Sequence, residues 1–323
     1  MFKNLAHVTA LFLCALLLAP TQAQTAYPTK SVRIIVPFAA GGTSDILARA
    51  IGAKLTEVWG QPVVIENRVG ANGNVGADFV AKSPPDGYTM LLSDVGALSI
   101  NPSVYANMPY DPVKDFAPVL MVSYSPHVLG VHPSIPVNSV KELIDYAKAN
   151  PGKMNFANSG NGGAPHLAGI AFAQRTGISW TYIPYKGGSQ AVADVAGGQA
   201  NVIMNGMLAT YPTVKSGRIK GLAVSSAKRV ASAPELPVIA ETLPGFETGS
   251  YQGILAPAGT PRDVVAKINA EITRILATQE LRDKLASQGT EVRSGTPEAL
   301  GAFIAGEKTR WAQVIKESGI KFD

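Results

Sequence analysis

Cysteine is almost absent from the chain, and so are long apolar runs beyond its N-terminal segment. Cys14 is the only cysteine in 323 residues, and it lies inside that segment, which we expect to be removed on export. A mature chain without cysteine excludes thiol nucleophiles, disulfide bonds and cysteine-ligated metals. No later apolar run reaches the roughly 20 residues that a transmembrane helix needs. The sequence thus predicts a soluble exported protein that relies on its core for stability.

Clustered charge and paired histidines are absent as well. The 28 basic residues exceed the 23 acidic ones only slightly, and no Lys/Arg cluster is interleaved with aromatic side chains, as in nucleic-acid binding surfaces. No H-E-x-x-H pattern is present, and His127 and His132 lie beside prolines in an extended segment. We therefore expect no nucleic-acid partner, no metal and no cofactor.

The N-terminus, MFKNLAHVTALFLCALLLAPTQAQ, has the three parts of a secretory signal peptide. Lys3 supplies a short basic region, and an apolar region follows at residues 8–19. Thr21 and Ala23 are small residues at the two positions that a signal peptidase inspects, so cleavage is expected after Ala23. The apolar region is too short to span a bilayer. We therefore expect residues 1–23 to be a cleavable signal peptide.

After this segment, short apolar stretches alternate with helix-like stretches. VRIIVPF, GYTMLLSD and GLAVSS are rich in strand-forming residues, whereas Ile46, Leu47, Ile51 and Leu55 follow helical spacing. Strands that alternate with helices indicate parallel α/β sheets. A length of 323 residues suits two such domains better than a single core.

Two glycine-rich turns lie where a predicted strand gives way to a predicted helix, PFAAGGTSD at 37–45 and NSGNGGAPH at 158–166. In parallel sheets, ligands bind at the carboxyl ends of strands, where a helix N-terminus presents free N–H groups and partial positive charge. Glycines let the backbone approach a ligand, and Thr43 and Ser44 add hydroxyl donors. Two such turns facing each other across a cleft would hold a carboxylate without Lys or Arg. The second turn offers Ser159, Asn161, the amides of Gly162 and Gly163, and His166.

Each of these residues also has a purely structural explanation. Thr43 or Ser44 can be a helix cap alone, and Asp45 can be a first-turn acid that complements the helix dipole. The glycines can serve the turn alone, and His166 can be a structural polar residue. At this point, capping alone and capping combined with ligand contact are equally compatible with the sequence.

The order of motifs resembles the Bug-type periplasmic solute receptors of tripartite tricarboxylate transporters. The resemblance implies an α/β, two-domain periplasmic-binding-protein fold (Venus flytrap, type II) with a ligand cleft between the domains. We expect domain 1 at 24–124 plus 248–323 and domain 2 at 125–247. The matching pieces run in order along almost the whole mature chain: YPTKSVRIIVPFAAGGTSD, VIENRVGANGNVGADFVAKSPPDGYTMLLS, NPSVYANMPYDPVKDFAPV, SVKELIDYAKANPGKMNFANSGNGGAPHLAG, YIPYKGG, LAVSSAKR, LPGFE and GILAPAGTP.

The resemblance also implies a function and partners. It implies a monomeric receptor in the periplasm that captures a small carboxylate (a di- or tricarboxylate or an aromatic acid). The receptor would deliver this ligand to the small and large membrane subunits of a tripartite tricarboxylate transporter. Many relatives carry an acid where Asn205 stands, so the neutral amide favours a simple acid over an amino acid. The ligand-binding residues implied are Phe38, Ala40, Gly41, Gly42, Thr43 and Asp45 in the first loop, Ser159, Asn161, Gly162, Gly163 and His166 in the second, and Ser93 and Asn205 at strand ends.

Two other interpretations stay open. In one, the receptor presents its ligand to a sensor kinase and has no transporter of its own. In the other, Ser159 is a hydrolase nucleophile and His166 its base, although the serine lies in NSGNG instead of G-x-S-x-G and no nearby acid orients the histidine. GANGNVG at 70–76 lacks the G-x-G-x-x-G register of a nucleotide loop. We therefore expect a receptor that is not an enzyme.

Overall fold

The apolar stretches of the sequence form the strands of a mixed sheet. The computed structural model describes residues 27–318, so the expected signal peptide at 1–23 lies outside the described residues. The strands are β1 (Val32–Val36), β2 (Val63–Asn67), β3 (Thr89–Asp94), β4 (Phe116–Val131), β5 (Asn155–Asn158), β6 (Thr181–Pro184), β7 (Val202–Gly206), β8 (Lys220–Val224), β9 (Gly249–Pro257) and β10 (Glu291–Val292).

Helices follow most of the strands, as the alternating pattern predicts. Among the described residues, no helix is both long enough and apolar enough to cross a membrane. The helices are α1 (Thr43–Trp59), α2 (Asn74–Ala81), α3 (Val95–Val104), α4 (Val140–Ala149), α5 (Ala164–Thr176), α6 (Gly188–Ala196), α7 (Met207–Lys215), α8 (Arg262–Leu276), α9 (Gln279–Ala286) and α10 (Pro297–Ser318).

Helix α1 illustrates how the local sequence sets these elements. Leu47, Ile51 and Leu55 recur at every fourth position and are fully buried, so one face of the helix packs on the sheet. The helix ends where Gly60 adopts a φ of 62°, a left-handed conformation that glycine takes without strain. The helical spacing predicted for this stretch is therefore confirmed.

Two half-sheets share one long strand. The first has the order β2-β1-β3-β9-β4, with β10 also paired to β4. The second continues from β4 through β7 and β5 to β6, and β8 also pairs with β4. Pairing is parallel among β1, β2 and β3 and among β5, β6 and β7, as the sequence predicts. Pairing along β4 and β9 is antiparallel, which the alternation of strands and helices did not indicate.

Strand β4 passes from one half-sheet into the other. Its residues from Phe116 to Pro126 pair with β9, and those from His127 to Val131 pair with β7. Each half-sheet has a buried core of its own: Ile34 and Leu92 belong to the first. The second contains Phe156 and Phe172 together with Trp180, whose ring stacks on both. The chain thus has the two-domain α/β arrangement that was expected.

Candidate ligand-binding cleft

The two glycine-rich turns meet at a small cavity between the half-sheets. Its volume is about 40 Å³, which is enough for more than one water-sized group. None of the lining side chains is Lys or Arg, and no group of three or more potential metal ligands occurs among residues 27–318. The lining residues are Phe38, Gly42, Thr43, Ser44, Asn72, Asp94, Ala97, Ser159, Gly163, Ala164, Pro165, Gly188, Asn205, Gly206, Ser250 and Gln252.

Three helices begin at this cavity without a capping side chain. The N-caps of α1, α5 and α6 are the glycines Gly42, Gly163 and Gly187, and none provides a side-chain hydrogen bond to its helix. A fourth helix, α7, also begins at a glycine, but the Leu208 N–H already donates to Ser125 Oγ at 3.3 Å. The cavity is therefore lined by first-turn N–H groups and the positive ends of helix dipoles.

The two turns have the same backbone design. Gly41 and Gly162 adopt φ values of 77° and 76°, and each precedes the glycine that forms the N-cap. A side chain at either position would be strained, because left-handed conformations favour glycine. Since the caps are glycines, the sequence interpretation in which Thr43 or Ser44 is the helix cap is wrong.

Asp45 holds the first turn in place from its outer side. Its carboxylate accepts hydrogen bonds from the Gly41 N–H at 2.9 Å, from Asn67 Nδ2 at 3.0 Å and from Arg49 Nε at 3.0 Å. Burial raises the pKa of Asp45, but these hydrogen bonds outweigh it and leave the pKa below its ordinary value. The acid is thus ionised and fixes the shape of the loop without lining the cavity.

His166 holds the second turn in an equivalent way. Its Nδ1 accepts the Gly162 N–H at 2.9 Å. Burial lowers the pKa of His166 to about 4, so the ring is neutral and its Nδ1 keeps the lone pair that this bond requires. Asn158 adds a second tie, since its Oδ1 accepts the Gly160 N–H at 2.9 Å.

Contacts between the two halves of the chain close one rim of the cavity. The Ala39 N–H donates to the Lys186 carbonyl at 3.2 Å, and Ser189 Oγ donates to the Ala40 carbonyl at 2.7 Å. A Cβ at Gly187 would lie 2.8 Å from the Ala39 nitrogen, so only glycine allows this approach. The YKGG stretch is therefore part of the cleft rim.

Asn205 and Asn72 face the cavity from opposite half-sheets. Asn205 Nδ2 donates to Thr210 Oγ1 at 3.0 Å, which leaves its Oδ1 beside Gly188. Asn72 has a φ of 50° and donates from Nδ2 to Asn101 Oδ1 at 2.8 Å. The buried Asn72 Oδ1 has no hydrogen-bond partner among the described residues. The GANGNVG motif, which was dismissed as a nucleotide loop, therefore supplies a cavity residue.

A buried carboxylate forms the floor of the cavity. Asp94 Oδ1 accepts the Ala97 N–H at 3.3 Å and caps α3, while Oδ2 accepts Gln252 Nε2 at 3.3 Å. Gln252 is oriented by the Ser44 hydroxyl, which donates to its Oε1 at 2.6 Å. The Ser44 hydroxyl, expected from the sequence as a ligand donor, is therefore used within the chain.

The structure thus divides the residues implied by the resemblance. Ala40, Gly41, Asp45, Ser93, Asn161, Gly162 and His166 lie outside the lining set. Ser93 is buried and donates to the Asp94 carbonyl at 3.3 Å, and Asn161 is exposed. Those that line the cavity are Phe38, Gly42, Thr43, Ser159, Gly163 and Asn205. The lining residues that sequence reasoning missed include Asn72, Asp94, Gly188, Gly206, Ser250 and Gln252.

The chain is similar to a known family of receptors and to several solved structures. A model described as "Tripartite tricarboxylate transporter family receptor" matches residues 47–320. The periplasmic binding protein BugD is 37% identical with a TM-score of 0.88, over 91% of this chain and 99% of that one. Rpa4515 of R. palustris, solved with adipate, is 39% identical with a TM-score of 0.89, over 91% and 99%. MatC of Rhodopseudomonas palustris, solved with malate, is 30% identical with a TM-score of 0.85, over 90% and 100%.

Proposed function

Because the chain belongs to the tripartite tricarboxylate transporter receptor family, a family of Bug-type periplasmic solute-binding proteins, we propose that it captures one small carboxylate in the cleft. In this proposal the receptor delivers its ligand to the small and large membrane subunits of a tripartite tricarboxylate transporter. The ligand is bound non-covalently and released unaltered, so the chain has no enzymatic role. Export uses the signal peptide, with cleavage after Ala23.

The observation that carries this proposal is the convergence of uncapped helix starts on one cavity. Helices α1, α5 and α6 all begin there at glycine N-caps. An anion at such a position accepts main-chain N–H groups, and each hydrogen bond to a charged group contributes about 1.5–3 kcal/mol. Thr43 and Ser159 add hydroxyl groups to the lining of the cavity, one from each turn. A carboxylate fits these donors because it is planar and accepts several hydrogen bonds at once.

The known ligands of two relatives favour a dicarboxylate. Rpa4515 was solved with adipate and MatC with malate, and both superpose on most of this chain. A cavity of about 40 Å³ indicates a compact ligand when the halves are closed. We therefore place this chain's ligand among small di- and tricarboxylates, with aromatic acids as the remaining class.

Closure of the two halves completes the site. The first turn belongs to the first half-sheet and the second turn to the other, so each half alone supplies only part of the hydrogen bonds. A ligand that contacts both shifts the population toward the closed form by its differential affinity. The domain limits remain part of the proposal: residues 24–124 plus 248–323 move against residues 125–247. The hinge is formed by β4 and by the stretch between β8 and β9.

Calorimetry on refolded protein tests the proposal. Refolding removes any ligand that copurifies, and the panel contains succinate, malate, adipate, citrate and benzoate, with glucose and putrescine as non-acid controls. We expect at least one acid to bind with micromolar affinity, about −8 kcal/mol, and to be recovered unchanged by mass spectrometry. Binding of a control alone, or conversion of the bound acid, would overturn the proposal.

A further inference from the structure

Asp94 is the only ionisable side chain among the residues that line the cavity. It lies among helix starts that favour anions, yet it is itself an acid. Asp94 is buried, with 8% of its surface exposed, and it lines the cavity. A site built only to hold a carboxylate gains nothing from a second carboxylate beside it, because like charges repel.

Capping of α3 does not account for a charged group at this position. Serine and asparagine cap helices about as well as aspartate does and without a buried charge, and the helix dipole typically adds only a small further stabilisation for an acid. The other helix starts around the cavity begin at glycine N-caps that supply no side-chain bond. The cap alone thus does not require the charge of Asp94.

The hydrogen bonds that Asp94 receives from the chain are weak for a carboxylate. Its bonds from Ala97 and Gln252 are both 3.3 Å long, whereas charge-assisted bonds are usually about 2.7–2.9 Å. These donors, like Ser250 and the Gly96 N–H, are neutral, so no cation offsets the charge of the carboxylate. Burial raises the pKa of Asp94 to about 6, although Ser250, Ala97, Gly96 and Gln252 all act to lower it. Donors inside the chain therefore do not compensate for the burial of this acid.

The position of Asp94 places it next to the proposed carboxylate site. A Cβ at Gly96 would lie 2.8 Å from Asp94 Oδ1 and 3.4 Å from the Cβ of Ala164, the first residue of α5. A ligand carboxylate at the start of α5 would therefore lie close to the Asp94 carboxylate. Two carboxyl groups share such a space favourably when a hydrogen lies between them, either a proton that the two acids share or a donor group of the ligand.

We infer that Asp94 is a second subsite of the cleft, which accepts a hydrogen bond from a hydroxyl or ammonium group on the ligand beside its carboxylate. The ligand is then a hydroxy- or amino-dicarboxylate, and an unsubstituted dicarboxylate binds less well. This inference rests on the proposed function. A hydroxy acid agrees with the expectation drawn from Asn205 that a simple acid is preferred over an amino acid, whereas an amino acid would contradict it.

Matched ligands and one substitution test this subsite. Refolded parent protein and Asp94→Asn are titrated calorimetrically with succinate, malate and aspartate, and with glutarate, 2-hydroxyglutarate and glutamate. Each set of three has one carbon skeleton and differs only in the group that would face Asp94. Asparagine still caps α3, so the variant is expected to fold, and circular dichroism checks this. Asp283→Asn, an exposed change at α9, is the control.

In the parent we expect the hydroxy or amino acid of one set to bind at least tenfold more tightly than its unsubstituted partner. In Asp94→Asn this ratio should fall by about ten- to a hundredfold, the effect of losing one hydrogen bond to a charged group. The malate and aspartate arms distinguish a hydroxyl from an ammonium donor. Equal ratios in parent and variant would overturn the subsite while leaving carboxylate binding intact. Binding of adipate or benzoate with no binding of these six acids would do the same, and absence of any acid binding would defeat both proposals.

Discussion

The Ser189 hydroxyl donates a 2.7 Å hydrogen bond to the carbonyl oxygen of Ala40, and so joins residues 149 positions apart in the sequence. Ala40 lies in the turn after β1, and Ser189 lies in the first turn of α6, on the other half-sheet. Together with the bond from Ala39 to Lys186, this contact joins the two halves at the rim of the cavity. In the proposed mechanism, these loop contacts add to the stabilisation of the closed form by a ligand.

Removal of this contact should weaken ligand binding without affecting the fold. Ser189 is half-buried and its bond is neutral, so its loss is expected to cost about 0.5–1.5 kcal/mol. Ser189→Ala should therefore bind the ligand about two- to tenfold more weakly, mainly through faster dissociation. Stopped-flow dissociation measures this. The control is Ser287→Ala, which removes an exposed hydrogen bond at the end of α9 and should match the parent. An unchanged dissociation rate in Ser189→Ala would show that the contact does not stabilise the closed form.

Bulk at the start of α5 should block the ligand far more than loss of a hydroxyl at α1. A Cβ at Gly163 would already lie 3.0 Å from Asn72 Oδ1, so Gly163→Leu fills the approach to the helix start. We expect affinity to fall more than a hundredfold in Gly163→Leu and about ten- to a hundredfold at most in Thr43→Ala.

The matched control for the glycine substitution is Gly306→Leu. A Cβ at Gly306, in α10, would meet no atom within 4 Å. Calorimetry should give parent-like affinity for this control, and thermal unfolding should show that all three variants remain folded. If Gly163→Leu binds like the parent, the ligand does not contact the start of α5.

The buried acid of the floor should destabilise the folded chain at neutral pH. Burial raises the pKa of Asp94 from 3.8 to about 6, so the folded chain holds this proton more tightly than the unfolded chain. The contribution of Asp94 to the stability of the folded chain is fully present below about pH 4, and it is lost as the pH rises through about 6. Asp94→Asn should then raise the free energy of unfolding at pH 7.5 by up to about 3 kcal/mol, with little effect at pH 4. Urea denaturation of parent and variant at both pH values measures this. If the two proteins differ in free energy of unfolding by the same amount at pH 4 and pH 7.5, the prediction is contradicted.

The buried histidines His127 and His166 should make the folded chain less stable as the pH falls, which is opposite to the effect of Asp94. Burial lowers the pKa of His127 to about 3 and that of His166 to about 4, from 6.5. The unfolded chain therefore binds more protons between these values and 6.5, so the stability they contribute above pH 6.5 is lost as the pH falls. Each group contributes about 1.4 kcal/mol per pH unit to this loss.

His127→Gln tests the larger of these two shifts. The His127 ring lies between Thr248 Oγ1 at 3.0 Å and Ser250 Oγ at 3.2 Å, where β4 enters the second half-sheet. Urea denaturation of the variant from pH 6.5 to 4.5 should show a dependence on pH that is shallower than the parent's by about 1.4 kcal/mol per unit. His132→Gln, at a half-buried site on the surface, is the control. An unchanged slope in His127→Gln would contradict this, because it would mean that His127 binds its proton equally well in the folded and unfolded chains.

The sequence predicted the elements that local chemistry determines. Apolar runs located β1 and β3, helical spacing located α1, and glycine pairs located both turns. These features depend on residues that are neighbours in sequence, so periodicity and turn chemistry reveal them. The same local signals predict that helix starts face a ligand, and they identify Gly42 and Gly163.

The floor of the cavity was missed because it is assembled from distant parts of the chain. Gln252 binds Asp94 from 158 residues away and Ser44 from 208 residues away, a relationship that no local pattern records. Asp94 itself had a signal, since it ends the buried strand TMLLSD. The sequence interpretation chose its neighbour Ser93, and adjacent residues of a strand point to opposite faces of the sheet.

A crystal structure of the refolded protein with its tightest acid tests the central claim most directly. The account predicts ligand carboxylate oxygens about 2.7–3.0 Å from first-turn main-chain nitrogens of α1 and α5 at once, with no Lys or Arg in contact with the carboxylate. A carboxylate held by a basic side chain, or a ligand that contacts only one half of the chain, would contradict it.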